Sequence, residues 1–204
     1  ELCRRLEGIP LAIELAAARA HVLTIAQMLE RLDERLDGLA TRRADAPARH
    51  RTLRAAVEWS DRLLAPEPRR LFVMLSVFRG GWSLESAEAV SGLSSALELL
   101  SELRESSLVV SEERGGEMRF RMLETLREYA EEQLDERDAG ELRDRHAAEF
   151  IRLAESIAPS LFGPGQMAAV SRLDFELENL RAALRWVCES GRGDQALRLG
   201  IALS

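Results

Sequence analysis

The stretch Arg119–Ala130, which reads RFRMLETLREYA, decides the fold because the hydrophobic period changes within it. Before it, Ser107–Ser111 is apolar and β-branched, and Glu112–Glu117 carries a Gly-Gly pair. Met118–Met122 then alternates apolar residues with Arg. Two such runs joined through Gly-Gly predict a β-hairpin.

The residues after the hairpin have a helical pattern. Leu123, Leu126, Ala130 and Leu134 recur with a period of about 3.6, which predicts a helix over 124–137. Upstream, the pattern predicts a helix from Arg69 to Phe78, a short helix capped by Ser83 and closed by Gly92, and a helix over 94–106. Short helices followed by a hairpin and a further helix are the outline of a winged-helix domain.

The N-terminal part reads as helical. Gly8 ends a first helix, and Pro10 suits the first turn of the next. Thr24 is a predicted N-cap. It precedes an apolar stripe formed by Ile25, Met28, Leu29, Leu32, Leu36 and Leu39. Gly38 marks the end of this predicted helix. Residues 40–51 are polar and Arg-rich and predict a loop, and Thr52 is the predicted cap of the helix that follows.

The C-terminal part is predicted to form helical hairpins. Phe150, Leu153, Ala154 and Ile157 form one helix face, and a Gly-Pro-Gly loop follows. A second stripe consists of Val170, Leu173, Leu177, Leu180, Leu184 and Val187. Helix pairs of this length are typical of tetratricopeptide-like (TPR-like) solenoids. The predicted fold is mainly α: a small helical domain, a winged-helix domain with one β-hairpin, and TPR-like helical hairpins.

Composition excludes several classes of protein. The 204 residues are 46% hydrophobic and 31% charged, which is typical of an ordinary globular protein in solution. No apolar run approaches the roughly 20 residues that span a bilayer, so we expect no membrane association and a cytoplasmic location. The chain opens with Glu1 in a helical pattern, and we therefore expect it to be a piece of a longer protein.

The sequence carries no recognisable catalytic or metal-binding constellation. All 28 basic residues are Arg, so a P-loop lysine and a lysine base are absent from these 204 residues. His21, His50 and His146 are far apart, and Cys3 and Cys188 lack metal-ligand spacing and are expected to be buried free thiols. We predict that the chain is not an enzyme, has no catalytic residues and binds no metal.

Charge bears on nucleic-acid binding. The net charge of −7 arises in residues 65–204, and the predicted helix 94–106 carries Glu98, Glu102 and Glu105 against Arg104. A helix that reads DNA needs donors for phosphates and guanine edges, so this helix would repel DNA. The basic cluster is formed by Arg42, Arg43, Arg49, His50, Arg51 and Arg54. It is interpreted first as a solvated loop and second as a phosphate contact.

Several motifs occur in the order found in one known family. LEGIPLAIELA (6–16) resembles the G-x-P motif of NB-ARC-type STAND ATPases, and MLE (122–124) falls where that family has its M-H-D motif. RTLR (51–54), LSVFRGGW (75–82) and ENLRAAL (178–184) resemble the bacterial branch, in AfsR/SARP-like and LuxR-type transcriptional regulators.

The resemblance implies the C-terminal half of a nucleotide switch. Its parts would be a small helical domain (1–45), a winged-helix domain (50–136) and the start of a TPR-like sensor (138–204). ADP or ATP would bind only in the longer protein, on an upstream P-loop domain. That domain would be one partner, an unknown effector or protein on the helical sensor another, and DNA would be bound through a further domain.

The resemblance also implies site residues. Gly8, Pro10 and Leu11 would lie on the adenine side of the nucleotide, with Pro10 packed against the base. Leu123 stands where the family has its phosphate-sensing histidine, but it has no donor, and we favour a packing role for it. Two alternatives stay open: a winged-helix DNA-binding module of a transcription factor, and a helical protein-interaction scaffold.

Overall fold

The fold contains a three-stranded antiparallel sheet. The computed structural model describes residues 2–6, 8–31 and 48–203. Strands β1 (Trp82–Ser83), β2 (Val110–Arg114) and β3 (Glu117–Arg121) are arranged in the order β1-β3-β2. Phe120 of β3 pairs with Trp82 on one side and with Ser111 on the other.

The predicted hairpin is confirmed, with a shift in its first strand. Its turn is Gly115-Gly116, with φ of +60° and +81°, as a two-residue turn with both central residues in the left-handed region requires. The prediction placed the first strand at Ser107–Ser111, but β2 begins at Val110. Ser107 has φ of +57° and ends the preceding helix, while Leu108 and Val109 turn into the core.

The helices are numbered in chain order. The N-terminal part contains α1 (Leu2–Arg5), α2 (Pro10–Ala17), the described part of α3 (residues 25–31) and α4 (Ala48–Arg62). The central part contains α5 (Pro66–Met74), a 3-10 turn at Leu75–Val77, α6 (Leu84–Ser91) and α7 (Ala96–Glu105). The C-terminal part contains α8 (Glu124–Glu132), α9 (Glu136–Ile157), a 3-10 turn at Ala158–Leu161, α10 (Gln166–Glu189) and α11 (Gly193–Ala202).

The order α5-β1-α6-α7-β2-β3 is that of a winged helix. Helix α7 packs on α5 and α6, and Phe72, Leu100 and Leu103 are fully buried between them. The cap of α6 is as predicted, because the Ser83 hydroxyl accepts a hydrogen bond from the backbone N–H of Ser86. The predicted mainly α fold with a winged helix and one hairpin is confirmed.

The N-terminal helices pack through α2 and α4. Thr24 caps α3 as predicted: its hydroxyl accepts from the N–H of Gln27, whose side chain accepts in turn from the N–H of Thr24. The predicted loop over 40–51 is wrong from Ala48 onward, because α4 already begins there and Thr52 is buried within it. Leu32, Leu36, Gly38, Leu39, Arg42 and Arg43 lie outside the described residues.

The predicted helix over 124–137 is two helices. Helix α8 ends at Glu132, and α9 begins at Glu136 after a cap in which the Asp135 carboxylate accepts from the N–H of Arg137. Helices α9 and α10 are antiparallel, since Asp144 faces Trp186 whereas His146 faces Asn179. No helix in the described part of the chain has the length and hydropathy to cross a bilayer.

The buried face of α10 differs from its predicted apolar stripe. Val170, Leu177 and Leu184 are about 40% exposed, whereas Leu180 and Val187 are buried as expected. The buried face also includes two polar residues, Glu176 and Asn179. Counting apolar residues alone therefore gave the wrong face, because polar side chains with partners occupy part of the contact with the winged helix.

Candidate functional site

A tight turn, Arg79-Gly80-Gly81-Trp82, connects the first helices of the winged helix to β1. Gly80 has φ of +85°, a conformation that favours glycine. A Cβ on Gly81 would lie 2.9 Å from the carbonyl oxygen of Phe120, so a side chain there would displace the neighbouring strand. Trp82 is buried and stacks on Phe78 with ring centroids 5.1 Å apart. Both glycines are therefore required by the path of the backbone.

The amide of Asn179 on α10 holds this turn. Its Oδ1 accepts from the backbone N–H of Arg79 at 2.7 Å, and its Nδ2 donates to the carbonyl oxygen of Gly81 at 2.6 Å. Nδ2 also donates to Glu176 at 3.2 Å, and Oδ1 faces Nε2 of His146 at 3.3 Å. Asn179 is fully buried, so each of these bonds forms away from water. The amide orientation is fixed by the backbone of the turn.

His146 on α9 completes the polar group around Asn179. It is buried, and its ring lies 4.6 Å from that of Phe150 and 5.4 Å from that of Phe78. Burial lowers the pKa of His146 to about 4, and the bond with Asn179 only partly offsets this. The imidazole is therefore neutral at pH 7. Because Oδ1 of Asn179 can only accept a hydrogen bond, the proton of the neutral imidazole lies on Nε2 of His146.

The wing formed by β2 and β3 also lies against α10. Arg119 forms a buried ion pair with Glu176 and donates to the carbonyl oxygen of Phe175 at 3.4 Å. Nearer the hairpin turn, the guanidinium of Arg114 lies 5.9 Å from the centre of the Phe175 ring, and Glu117 pairs with Arg172 at 3.8 Å. Helix α10 therefore contacts the wing from its base to its tip. We call this contact, centred on Arg119, Glu176 and Asn179, the wing junction.

The solvent face of α7 is acidic, as the sequence predicted. Its exposed residues are Leu97, Glu98, Ser101, Glu102, Arg104 and Glu105. The Ser101 hydroxyl donates to the carbonyl oxygen of Leu97, so its proton is already used within the helix. In DNA-reading winged helices this face would enter the major groove. Here it offers three carboxylates and one guanidinium.

The predicted nucleotide residues lie away from the wing junction. Gly8, with φ of +65°, and Pro10, at the start of α2, are exposed, and Leu11 is half-buried. Leu123 occupies the N-cap position of α8, makes no capping hydrogen bond through its side chain, and is half-buried against the core. Helix α2 contacts α4, and α4 contacts α8, so α4 lies between the two predicted groups.

A second buried polar group ties α4 to the winged helix. Asp61 is fully buried and receives hydrogen bonds from Arg69 at 3.1 Å and from the Tyr129 hydroxyl at 3.0 Å. Burial raises the pKa of Tyr129, and the Asp61 carboxylate raises it further. Arg19, after α2, donates to the carbonyl oxygen of Ser60 at 3.1 Å and so attaches the N-terminal helices to α4.

The wing junction was not predicted, although its sequence motifs were noted. RGGW and ENLR are about 100 residues apart, and nothing in their spacing indicates contact. The available signal was the one Asn of the chain, next to Leu180 of the predicted apolar stripe. A buried amide needs partners, and two adjacent glycines expose backbone groups that can provide them.

Comparison with known proteins agrees with this architecture. The family described as a winged helix-turn-helix domain matches residues 64–135. A Mycobacterium tuberculosis protein whose name marks it as a proposed HTH-type transcriptional regulator is 38% identical over the whole of this chain, which covers 24% of that protein. The same holds for a protein of that name in Mycobacterium bovis.

An uncharacterised Mycobacterium tuberculosis protein is 39% identical over 67% of this chain, covering 36% of its own length. The chain thus spans between about a quarter and a third of the length of the curated relatives it matches. What these findings show is a winged-helix domain that occurs within longer proteins.

Proposed function

We propose that this chain is the regulatory part of a STAND-type transcription regulator, in which the winged helix relays the state of a nucleotide-binding domain to a helical sensor. The observation that carries the proposal is the wing junction. In it, a helix of the C-terminal pair bonds the backbone of the winged helix through Asn179 and pairs with its wing through Glu176 and Arg119. A wing used in this way works as a docking surface for its own chain.

The chemistry of the junction suits a contact with two discrete states. Asn179 makes four hydrogen bonds and Arg119 an ion pair, all in a low-dielectric interior. A small displacement of α10 leaves buried groups without partners, whereas full separation returns them to water. Intermediate positions are therefore unfavourable, and the two bodies move as units.

The nucleotide would reach this chain from its N-terminal side. Gly8 and Pro10 are exposed at the start of α2 and can contact another domain. We assign Gly8, Pro10 and Leu11 to the adenine side of ADP or ATP held by an upstream P-loop domain. Leu123 is assigned a packing role, which its half-buried position beside the core supports.

The test is binding of fluorescent ADP to a longer protein that includes the upstream segment. Pro10→Ala should weaken binding about tenfold if the ring packs against adenine, since lost apolar contact of this size costs about 1–2 kcal/mol. Pro66→Ala is the matched control, because Pro66 is also exposed in the first turn of a helix. Equal affinity in the Pro10 and Pro66 variants would refute the adenine assignment.

A second candidate function is DNA binding by the winged helix. The domain match and the names of the relatives favour it. It predicts salt-dependent binding of duplex DNA by this chain that is weakened by replacing Arg49, Arg51 and Arg54. The acidic face of α7 favours the relay instead. The relay predicts no duplex binding that depends on these arginines.

A further inference from the structure

A cavity of about 260 Å³ lies where the winged helix meets the α9–α10 pair. Its wall includes Arg79 and Glu131 from the winged-helix side, Arg143 and His146 from α9, and Arg185 and Trp186 from α10. The cavity therefore has walls from both sides of the contact. It is separate from Gly8, Pro10 and Leu123, and neither Asn179 nor Glu176 lines it.

Positive charge is in excess around this cavity. Glu131 is approached by three guanidinium groups, those of Arg127 at 2.6 Å, Arg79 at 3.2 Å and Arg143 at 3.6 Å. Burial raises the pKa of Glu131, but the bond with Arg127 and the charges of the arginines outweigh it, so the pKa lies below its usual range. Arg127 also pairs with Glu124 at 2.6 Å, so Glu131 is left to offset both Arg79 and Arg143. A second anion would be attracted to the same place.

Arg185 adds a further charge to the wall. Within the part of the chain that the structure describes, Arg185 makes no ion pair, although it lines the cavity beside Glu189. The wall thus carries Arg79, Arg143 and Arg185 against Glu131 and Glu189, with a neutral His146. An unpaired guanidinium at the rim of a cationic cavity is a ready ligand for anionic oxygens.

Arg143 is held in place by an aromatic side chain. Its guanidinium lies 5.4 Å from the centre of the Trp186 ring. The ring is itself fixed, because its Nε1 donates to Asp144 at 2.7 Å, and Asp144 also pairs with Arg192. Less entropy is lost when a ligand binds a guanidinium that is already oriented.

We propose that this cavity binds a small dianion, a phosphoryl or dicarboxylate compound, whose oxygens are held by Arg79, Arg143 and Arg185. The volume is below the roughly 300–1,000 Å³ of sites for drug-sized ligands, so a compact metabolite fits and a nucleotide does not. Because Arg79 belongs to the winged helix and the other two arginines to the helical pair, the ligand would link the two and stabilise their contact. The inference requires neither DNA nor an upstream domain.

The test uses the purified chain with two probes, inorganic pyrophosphate and succinate, at constant ionic strength set with sodium chloride. Binding is measured by calorimetry and by the dependence of Tm on probe concentration. We expect at least one probe to bind and to raise Tm. Arg185→Gln should raise the Kd of that probe about tenfold, which is the effect of losing one charge-assisted hydrogen bond.

Arg181→Gln is the matched control, because Arg181 is exposed on the same helix and is paired with Glu178 outside the cavity. Binding of pyrophosphate alone assigns a phosphoryl group, and binding of succinate alone assigns a dicarboxylate. Absence of binding by both probes overturns the proposal. So does an equal Kd for wild type and Arg185→Gln, since Arg185 lies at the surface and its replacement leaves the fold intact.

Discussion

The Asn179 side chain and the carbonyl oxygen of Gly81 are joined by a 2.6 Å hydrogen bond that spans 98 residues of sequence. The same amide accepts a hydrogen bond from the backbone N–H of Arg79. A single side chain therefore bonds the backbone on both sides of Gly80. Backbone groups in a turn cannot be changed by substitution. The interaction therefore specifies Asn at one end and a particular backbone path at the other.

Asn179→Asp should destabilise the protein strongly. An ionised carboxylate has no donor for Gly81, and it faces the buried Glu176 at the distance of a hydrogen bond. We expect a loss of about 3 kcal/mol or more in the free energy of unfolding, measured by urea denaturation. Gln133→Glu makes the same chemical change at an exposed position and should alter stability by less than about 0.5 kcal/mol. Similar losses in both variants would contradict the assigned role of Asn179.

Gly81→Ala and Gly140→Ala should act in opposite directions. The new Cβ at Gly81 would meet the Phe120 carbonyl at 2.9 Å, so β3 or the turn must shift and stability should fall by about 1–3 kcal/mol. At Gly140, within α9, no described atom lies within 4 Å of the new Cβ. Alanine there should stabilise by about 0.5–1 kcal/mol through helix propensity. The measurement is the Tm of the two variants in thermal unfolding. An unchanged Tm for Gly81→Ala would contradict the close approach between residue 81 and the Phe120 carbonyl oxygen.

The winged helix was predictable because each of its elements has a local signal. Gly115-Gly116 requires a tight turn, Ser83 and Gly92 cap and end a helix, and the periodicity changes at Leu123. The start of β2 was placed too early because Leu108 and Val109 have the composition of strand residues but enter the core before pairing begins. Local propensity does not distinguish an apolar residue in a paired strand from one that packs in the core ahead of the strand.

The wing junction could not be predicted, since it depends on contacts between distant segments. An Arg in a strand and a Glu in a helix normally face solvent. Arg119 and Glu176 are nevertheless each more than nine-tenths buried. Only the placement of α10 on the wing makes them partners. The break between α8 and α9 was also missed, because Asp135 acts as a cap inside a helical pattern that continues on both sides.

Stability should fall as the pH decreases from 6.5 to about 4. Burial lowers the pKa of His146 from its ordinary 6.5 to about 4. Between these values the unfolded chain binds a proton that the folded protein excludes, so folding is penalised by up to about 3 kcal/mol at the lower end. The carboxyl groups of Glu124 and Glu131, whose pKa values are lowered from 4.5, add their own loss of stability as the pH falls through 4.5 and below it.

The pH dependence can be assigned by substitution. His146→Gln should flatten the decline in unfolding free energy between pH 6.5 and 4.5, whatever its effect on absolute stability. His21→Gln should leave the decline unchanged, because His21 is exposed. Denaturant titrations at several pH values give the slope. An unchanged slope in the His146 variant would show that this imidazole is not the group excluded from protonation.

The Arg119–Glu176 ion pair should behave as a buried pair in a double-mutant cycle. Arg119→Met leaves the Glu176 carboxylate buried beside Asn179, and Glu176→Gln leaves a buried guanidinium, so each single change should cost about 3–5 kcal/mol. The double variant buries no unpaired charge and should be more stable than the sum of the two losses predicts. Arg181→Met and Glu178→Gln form the control cycle on the same helix, where an exposed pair should contribute less than about 1 kcal/mol. Additive losses at Arg119 and Glu176 would mean that α10 does not hold the wing through this pair.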